Sequence, residues 1–455
     1  MSLKAKNVDM CSGPLFKNIF KFVIPLMLTA ILSRLYNTAD VIVVGRWGGE
    51  DALAGVGATG SLVALMGDIF LGLSMGISIM MGKALGAKDD EKVKRTVHTA
   101  VALSFIGGIF VTVAGIVFAD DLLRLTGVPK TVMPQATIYL TIIFSAQLPS
   151  MLYTFVSAIF RAKGNTKTPF YIILITGGLN VLLNIIFVVI FDMKAEGVAL
   201  ATAISTLINA VVITYLLTKE TDAIRLDIRK IKIHRDILYE ALRLGIPFGV
   251  QNSVFEISNT LIQSGVNSFG ETTLAGNTAA ANILGFFYIC IHAFGMAATS
   301  FVSQNYGAKK YDRIKKCVWY CTVYVLIVGV LEILVAVLLG EALLNIYIPG
   351  NAEAIKAGMV RINVIGFTYA FIGILEVLKG GSCGMGHTTA ATLTSVIGVC
   401  GIRVVWVLTV FEKIGTLESL LVATPLSWLG TAILQLALYL WLIHPNRLLY
   451  DKNHI

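Results

Sequence analysis

The chain has 455 residues, of which 56% are hydrophobic and 14% are charged. A soluble chain of this length would form about three domains of roughly 150 residues each. Instead, apolar runs of about 18 residues or more recur along it, and each can cross roughly 30 Å of hydrocarbon. The net charge of +9 comes mostly from basic residues in short segments between these runs, which favours orientation in a membrane over nucleic-acid binding.

Apolar windows between charged or turn-rich segments predict twelve transmembrane helices. Their approximate ranges, in chain order, are 22–44, 53–82, 97–119, 132–158, 168–191, 196–217, 239–268, 274–304, 318–340, 355–381, 388–411 and 419–443. Few basic residues fall in the predicted external loops, namely Arg46, Arg124, Lys130, Lys194, Lys356 and Lys413. The positive-inside rule therefore predicts that both termini are cytoplasmic.

An internal repeat divides the chain into two halves. Residues 49–60 and 270–281 match at six of twelve positions at an offset of 221, and Asn37-Thr38 meets Asn259-Thr260 at 222. The repeat predicts an N-terminal lobe (1–218), a cytoplasmic connector (219–238), a C-terminal lobe (239–443) and a cytoplasmic tail (444–455). Because each half holds an even number of spans, the lobes are parallel repeats related by an axis along the membrane normal, which predicts a cleft that opens to alternate sides.

Acidic residues inside predicted spans are candidates for function, because an ionised side chain there costs about 2.5 to 3.5 kcal/mol. Asp40 lies in the first span and shares a helix face with Asn37. This pair predicts a proton or sodium site; a buried polar network or an ion pair with Arg34 is the structural alternative. In the fifth span, Asn180 and Asn184 are spaced i and i+4, so they suit either sodium ligation or interhelical hydrogen bonds.

The seventh span is unusually polar, with Asn252, Glu256 and Asn259 along one stripe. Such a stripe is expected to face the cleft and contact substrate, with interhelical hydrogen bonding as the alternative. Glu376 in the tenth span is a further cleft candidate, although an ion pair with Lys379 would also explain it. For the remaining intramembrane acids, Asp68 and Glu332, we expect structural roles.

No signature of hydrolysis or group transfer is present in the sequence. It lacks the P-loop, HExxH and GxSxG patterns, and its six cysteines form no CxxC pair. We therefore expect no enzymatic activity, no cofactor, and no metal beyond a transported sodium ion. Transport energy would come from an ion gradient or from the substrate's own gradient.

Several short motifs, in this order, resemble those of the multidrug and toxic compound extrusion (MATE) family of cation-coupled antiporters, over essentially the whole chain. They are Pro25, Asp40 and Gly45-Arg46; Gly86-Ala87; Arg161-Ala-Lys-Gly164-Asn-Thr166-Lys-Thr-Pro169; Leu179-Asn180; and Gly197-Val-Ala-Leu-Ala-Thr202. The resemblance, to the bacterial type, implies twelve helices in two lobes, coupling to sodium or protons, and export of amphipathic, often cationic, compounds.

The resemblance also implies an ion site made of Asp40, Asn180 and Thr202, with Tyr139 as a wall residue. The chain departs from the family at Asn184, where an acid is usual, so a site with a single carboxylate is expected. Glu256 lies one residue beyond the seventh-span acid of one branch, which on a helix is a rotation of about 100°. Glu376 lies about one turn beyond that branch's tenth-span acid.

These observations together predict a monomeric, multi-pass antiporter of the plasma or inner membrane. It would export small, amphipathic, cationic compounds in exchange for Na⁺ or H⁺, with Glu256 and Glu376 attracting the cationic substrate. A flippase for a lipid-linked sugar or cell-wall precursor is the first alternative; it would favour a basic cavity, and the intramembrane basic residues are Arg34, Arg361 and Arg403. A membrane enzyme acting on lipids is the second.

Overall fold

The computed structural model describes residues 7–444, apart from the side chains of residues 65, 66, 68 and 69. Within that part every regular element is a helix, in the order α1 Leu15–Val43, α2 Glu50–Ala87, α3 Asp90–Val117, α4 Ala119–Leu125, α5 Met133–Ser145, α6 Gln147–Ala162, α7 Lys167–Asn184, α8 Ala195–Thr218, α9 Arg235–Asn267, α10 Glu271–Gly307, α11 Tyr311–Tyr347, α12 Ala352–Arg361, α13 Tyr369–Gly384, α14 Thr388–Val396, α15 Ile402–Trp406, α16 Glu412–Ile414 and α17 Leu417–Leu442. The side chain of Asp68, and all of the predicted tail from residue 445 onward, lie outside the described residues.

Wider π-helical turns extend or join several of these helices. They occupy Val44–Gly48, Ile185–Ile190, Ile362–Gly366, Ile397–Gly401 and Val407–Phe411. A π turn interrupts the regular hydrogen-bond ladder, and such turns are frequent at functional sites. Two of them begin within a few residues of Asp40 and Asn184, the residues that the sequence places at the ion site.

The helices of the described residues account for the predicted spans. Nine are long and apolar enough to cross a membrane, and two bent pairs, Met133–Ser145 with Gln147–Ala162 and Ala352–Gly366 with Tyr369–Gly384, raise the number to 11. The predicted seventh span corresponds to α9, which has 33 residues but is too polar to pass the same test. The prediction of an all-helical membrane protein is confirmed; the cytoplasmic position of the termini stays a prediction.

The side chains on the outer surface suit a lipid environment. Large apolar residues are widely exposed, among them Phe110 at 70%, Ile175 at 68% and Leu338 at 74%. Soluble proteins rarely expose large continuous apolar patches. In a bilayer the same side chains contact acyl chains, so their exposure to lipid costs no hydrophobic free energy.

The two halves repeat the same unusual backbone conformations. Left-handed residues occur in pairs with nearly equal φ angles: Lys88 and Lys309 (58° and 56°), Gly49 and Gly270 (85° and 88°), Gly127 and Gly350 (75° and 77°), Gly164 and Gly386 (both 93°). The two bent helix pairs are also equivalent, and each bends by 45°. Because positive φ angles are rare and local, their recurrence at a nearly constant spacing supports the internal duplication read from the sequence.

Two compact units divide the described chain. The first comprises residues 7 and 8 with Ile24–Gly249, and the second comprises Asp9–Val23 with residues 250–444. The limits differ from the predicted lobes, because the start of α1 packs within the second unit and the start of α9 packs within the first. In the second unit, Phe16 of α1 stacks on Tyr324 of α11 with ring centroids 4.4 Å apart.

Glycines bring α2 and α9 into close contact within the first unit. A Cβ atom added to Gly76 would lie 2.7 Å from the carbonyl oxygen of Ala241, and one added to Gly72 would lie 2.6 Å from the nitrogen of Gly249. Contacts this short leave no room for any larger residue. This pattern of small residues is typical of helix crossings in membranes, where close backbone packing supplies van der Waals energy.

The predicted connector is folded against α3 of the first unit. It contains a short 3₁₀ turn, Ile228–Lys230, and Arg95 of α3 forms an ion pair with Asp236 at 2.5 Å. Arg95 Nε also donates to Nδ1 of His234 at 3.3 Å. Burial and the charge of Arg95 lower the pKa of His234, which keeps its imidazole neutral and able to accept that hydrogen bond.

Candidate functional site

Four polar side chains meet inside the first unit. The amide of Asn184 donates to Asp40 Oδ1 at 2.5 Å and to Asn180 Oδ1 at 3.3 Å. The hydroxyl of Thr202 donates to Asp40 Oδ2 at 3.3 Å and accepts from the amide of Asn180 at 3.3 Å. Asp40, Asn180 and Asn184 are buried. We call these four residues the Asp40 cluster.

Three helices supply the Asp40 cluster, and a glycine contact brings two of them together. A Cβ atom on Gly177 of α7 would overlap the ring of Tyr36 of α1, so only glycine permits this approach. Asp40 follows Tyr36 by one helical turn, and Asn180 and Asn184 follow Gly177 by one and two turns. The local sequence thus sets the carboxylate of α1 directly against the amides of α7.

The Asp40 cluster combines one formal negative charge with several neutral oxygen atoms. Its oxygens are the two of Asp40, one each on Asn180 and Asn184, and the hydroxyl of Thr202. Asn184 Oδ1 is buried and has no hydrogen-bond partner among the described residues. Hard oxygen donors of this kind suit a hard cation, and the carboxylate can instead take up a proton. The geometry therefore fits either a sodium ion or a proton.

Of the other two residues predicted in the first lobe, one borders the Asp40 cluster. Tyr139 is half-buried and packs on apolar residues that include Val43 and Val188, which follow Asp40 and Asn184 by about one helical turn. Asn37, one turn before Asp40, is exposed. The role of Tyr139 as a wall residue stays a prediction, and Asn37 lies at the surface of the unit.

The polar stripe of α9 lies at the surface of the second unit. Glu256 and Asn259 are exposed and Asn252 is half-buried. Asn259 Oδ1 accepts a hydrogen bond from Arg403 at 2.8 Å, so this residue joins α9 to α15. The stripe therefore contains an interhelical hydrogen bond and also an exposed carboxylate, that of Glu256.

Glu376 takes part in a buried ion pair. Its Oε1 lies 2.6 Å from Lys379 Nζ and its Oε2 lies 3.1 Å from Nδ1 of His292. His292 belongs to α10 and stacks on Tyr288. Sequence reasoning included the ion pair as an alternative but missed His292, because only the packing of α10 against α13 brings these residues together. With its charge balanced, Glu376 is a weaker candidate for attracting a cationic substrate.

Within the described residues, no group of three or more His, Cys, Asp or Glu side chains could hold a metal ion. The six cysteines are free thiols.

Comparison with known proteins agrees with this architecture. The family model described as MatE matches residues 25–186 and 247–409, one segment in each half. The chain belongs to the MATE family. This confirms the resemblance seen in the sequence, and it makes the chain a multi-pass membrane protein of a transporter family rather than an enzyme.

Curated members of the MATE family align with most of the chain. The probable multidrug resistance protein YoeA of Bacillus subtilis is 26% identical over 396 residues, covering 86% of this chain and 85% of its own length. The multidrug export protein MepA of Staphylococcus aureus is 21% identical over 433 residues, covering 93% and 94%. A solved outward-facing MATE family multidrug resistance transporter superposes with a TM-score of 0.89 at 20% identity, covering 96% of this chain and 98% of that one.

Proposed function

We propose that this MATE family member is a secondary active antiporter that exports small amphipathic compounds in exchange for Na⁺ or H⁺ bound at Asp40. The observation that carries the proposal is the Asp40 cluster, in which a buried carboxylate accepts hydrogen bonds from one amide and one hydroxyl, both neutral, among the described residues. A buried acid with neutral partners costs free energy unless it binds a cation or a proton.

The contacts of Asp40 suggest how ion binding would change the structure. Asn184 holds the carboxylate to α7, and Thr202 holds it to α8. Hydrogen bonds to an ionised acceptor are roughly twice as strong as neutral ones, so neutralising Asp40 weakens the attachment of α1 to both helices. An ion can shift the outward and inward states only if it binds them unequally, and this change in α1 packing provides that difference.

Two observations bear on the substrate. The relatives are named as multidrug resistance or export proteins, which supports export of varied organic compounds. Our prediction of cationic substrates depends on exposed Glu256, since Glu376 is paired with Lys379. A flippase for a lipid-linked sugar or cell-wall precursor is the alternative, and the intramembrane arginines of the second unit, Arg361 and Arg403, favour it.

The decisive experiment is efflux of ethidium from proteoliposomes under a pH gradient and, separately, a sodium gradient. We expect at least one gradient to drive efflux by the wild type, and Asp40→Asn to abolish the driven component. Glu332→Gln is the matched control, because Glu332 is also a buried intramembrane acid and has no hydrogen-bond partner among the described residues. Intact driven efflux in Asp40→Asn would contradict the proposal.

A further inference from the structure

The internal repeat allows the second unit to be searched for a counterpart of the Asp40 cluster. Equivalent left-handed residues fix the register, with offsets of 222 for Gly164 and Gly386 and 223 for Gly127 and Gly350. Gly178-Leu-Asn180 then corresponds to Gly401-Ile-Arg403 at 223, and Ala201-Thr202 to Ala423-Thr424 at 222. Equivalent positions can therefore be assigned to within one residue.

At those positions the charge is reversed. Of the Asp40 cluster, Asp40 corresponds to Ile262, Asn180 to Arg403, Asn184 to Val407 and Thr202 to Thr424, and Tyr139 beside it corresponds to Arg361. The first unit thus has an acid and no base among these five positions, whereas the second has two bases and no acid. The left-handed residues and the bent helix pairs recur in both units, so the electrostatic difference arises from the side chains at these positions.

Both arginines are held by asparagines of neighbouring helices. Arg361 donates to Oδ1 of Asn277 at 2.8 Å, and Arg403 donates to Oδ1 of Asn259 at 2.8 Å and to the hydroxyl of Ser427 at 3.2 Å. Arg403 is only 5% exposed, and Arg361 is partly exposed. Both arginines belong to helices of the second unit and occupy the positions equivalent to Tyr139 and Asn180 of the first unit. We call Arg361, Arg403, Asn259 and Asn277 the arginine cluster.

Among the described residues, neither arginine lies within 4.0 Å of a carboxylate oxygen. Ion pairs of the second unit's helices join Glu376 to Lys379 and His292 instead. Two like charges that remain unpaired in a membrane-spanning segment are costly, and intramembrane charges usually pair or bind a ligand. The arginine cluster therefore has an excess of positive charge that nothing in the described structure balances.

The arginine cluster also has unused hydrogen-bond donors. Arg361 Nε and Asn277 Nδ2 are buried and have no partner among the described residues. Both atoms can only donate. A purely structural role for Arg361 accounts for its bond to Asn277 Oδ1 but leaves these donors unsatisfied. An acceptor with negative charge would satisfy the donors and balance the charge at once.

We propose that the arginine cluster binds an oxyanion, a carboxylate or phosphate group of the transported molecule. The planar guanidinium fork matches the oxygens of these groups in two parallel hydrogen bonds. The exposed Asn259 and the partly exposed Arg361 provide access from the surface of the unit. This inference depends on the proposed transport function only in taking its ligand to be the transported molecule.

The test uses three fluorescent compounds that share one aromatic group and differ in charge: dansylglycine (anionic), its methyl ester (neutral) and dansylcadaverine (cationic). Equilibrium binding to the purified full-length protein in detergent is measured for each. We expect the wild type to bind dansylglycine at least tenfold more tightly than the ester. Arg361→Gln and Arg403→Gln should each remove that preference and leave affinity for the ester unchanged.

Further variants separate recognition from folding. Arg403→Lys keeps the charge without the fork, so it should retain part of the preference. Arg34→Gln removes the intramembrane arginine of the first unit and should leave the preference intact. The proposal is overturned if the wild type does not distinguish dansylglycine from the ester, or if the Gln variants lose both ligands equally, because either result assigns the arginines to structure.

The source of the oxyanion is distinguished by competition with farnesyl diphosphate. If farnesyl diphosphate displaces dansylglycine at a far lower concentration than inorganic phosphate does, the ligand is a lipid-linked pyrophosphate, as expected for a flippase. If analogues of dansylglycine displace it but farnesyl diphosphate does not, the ligand is a small carboxylate compound. Asp40→Asn should lose gradient-driven transport while it keeps the binding preference in detergent, so failure of the coupling proposal and failure of the oxyanion site give different results.

Discussion

Substituting Asp for Asn184 would place a second carboxylate in the Asp40 cluster. The amide nitrogen of Asn184 lies 2.5 Å from Asp40 Oδ1, and two unit charges at that separation repel by about 7 kcal/mol at an effective dielectric constant of about 20. If the side chains rotate until the charges are about 4 Å apart, the repulsion is still about 4 kcal/mol. That corresponds to roughly a thousandfold in an equilibrium constant.

This repulsion is relieved when the pair of carboxylates shares a proton or a metal cation. We therefore expect Asn184→Asp to lower the sodium concentration that half-saturates driven efflux at least tenfold if sodium is the coupling ion. If the proton is the coupling ion, we expect the midpoint of the pH dependence of efflux to rise by at least about one pH unit, since each unit is about 1.4 kcal/mol. Proteoliposome efflux over a series of sodium concentrations and pH values measures both quantities.

Two further variants check the electrostatic reasoning. Asn184→Leu removes the amide without adding charge and should not tighten ion binding. The exchange variant Asp40→Asn with Asn184→Asp moves the single carboxylate from α1 to α7 and should recover part of the ion dependence that Asp40→Asn loses. If Asn184→Asp changes neither half-saturation nor the pH midpoint while protein and transport levels stay normal, the Asp40 cluster does not hold the coupling ion.

The remaining predictions concern stability, measured as thermal unfolding in detergent with a thiol-reactive dye. Gly177→Ala should destabilise the protein by about 1 to 3 kcal/mol, because the added methyl group overlaps the ring of Tyr36. Gly178→Ala is the control and should not destabilise it, because nothing lies within 4 Å of the added Cβ. Equal effects of the two substitutions would argue against the α1–α7 contact. Lys379→Met should cost about 3 to 5 kcal/mol because it leaves Glu376 buried without its ion-pair partner, and adding Glu376→Gln should recover most of that loss. A neutral single variant would show that the ion pair does not persist.

The positions of the spans could be predicted because hydropathy is a property of contiguous sequence. The bends could not be predicted in the same way. The helix pair that ends at Gly384 bends between residues 366 and 369 without a proline. Pro25 and Pro247, by contrast, lie inside helices that continue past them. Packing within each unit decides where such a helix bends, and this packing cannot be predicted from a short window of sequence.

The contacts of the candidate residues could likewise be predicted only where they follow from contiguous sequence. Asn180 and Asn184 share a helix face, so their proximity follows from the helical period, and the MATE resemblance joins them to Asp40 and Thr202. By contrast, His292 lies 84 residues from Glu376 in the chain. Periodicity shows which face of a helix is polar, but not which neighbouring helix that face meets. The contacts of His292 therefore required the structure.

The sequence interpretation of the arginines was limited by a related difficulty. Arg361 and Arg403 could be seen as intramembrane bases, but each could have been neutralised by an acid on another helix. Their actual partners, such as Asn259 at a separation of 144 residues from Arg403, are neutral. Only a list of spatial neighbours can show that a charge is left unbalanced.

The matched left-handed residues of the two halves also bear on ancestry. A backbone set by Lys88 and Lys309, or by Gly164 and Gly386, was established before the halves diverged, because each pair has kept nearly the same φ angle. An ancestor assembled from two identical six-helix chains would carry the same residue at both copies of every position. Asp40 and Ile262 could become different only after the two copies were separately encoded, so the unlike side chains at these equivalent positions arose after duplication and could not have evolved in a homodimer.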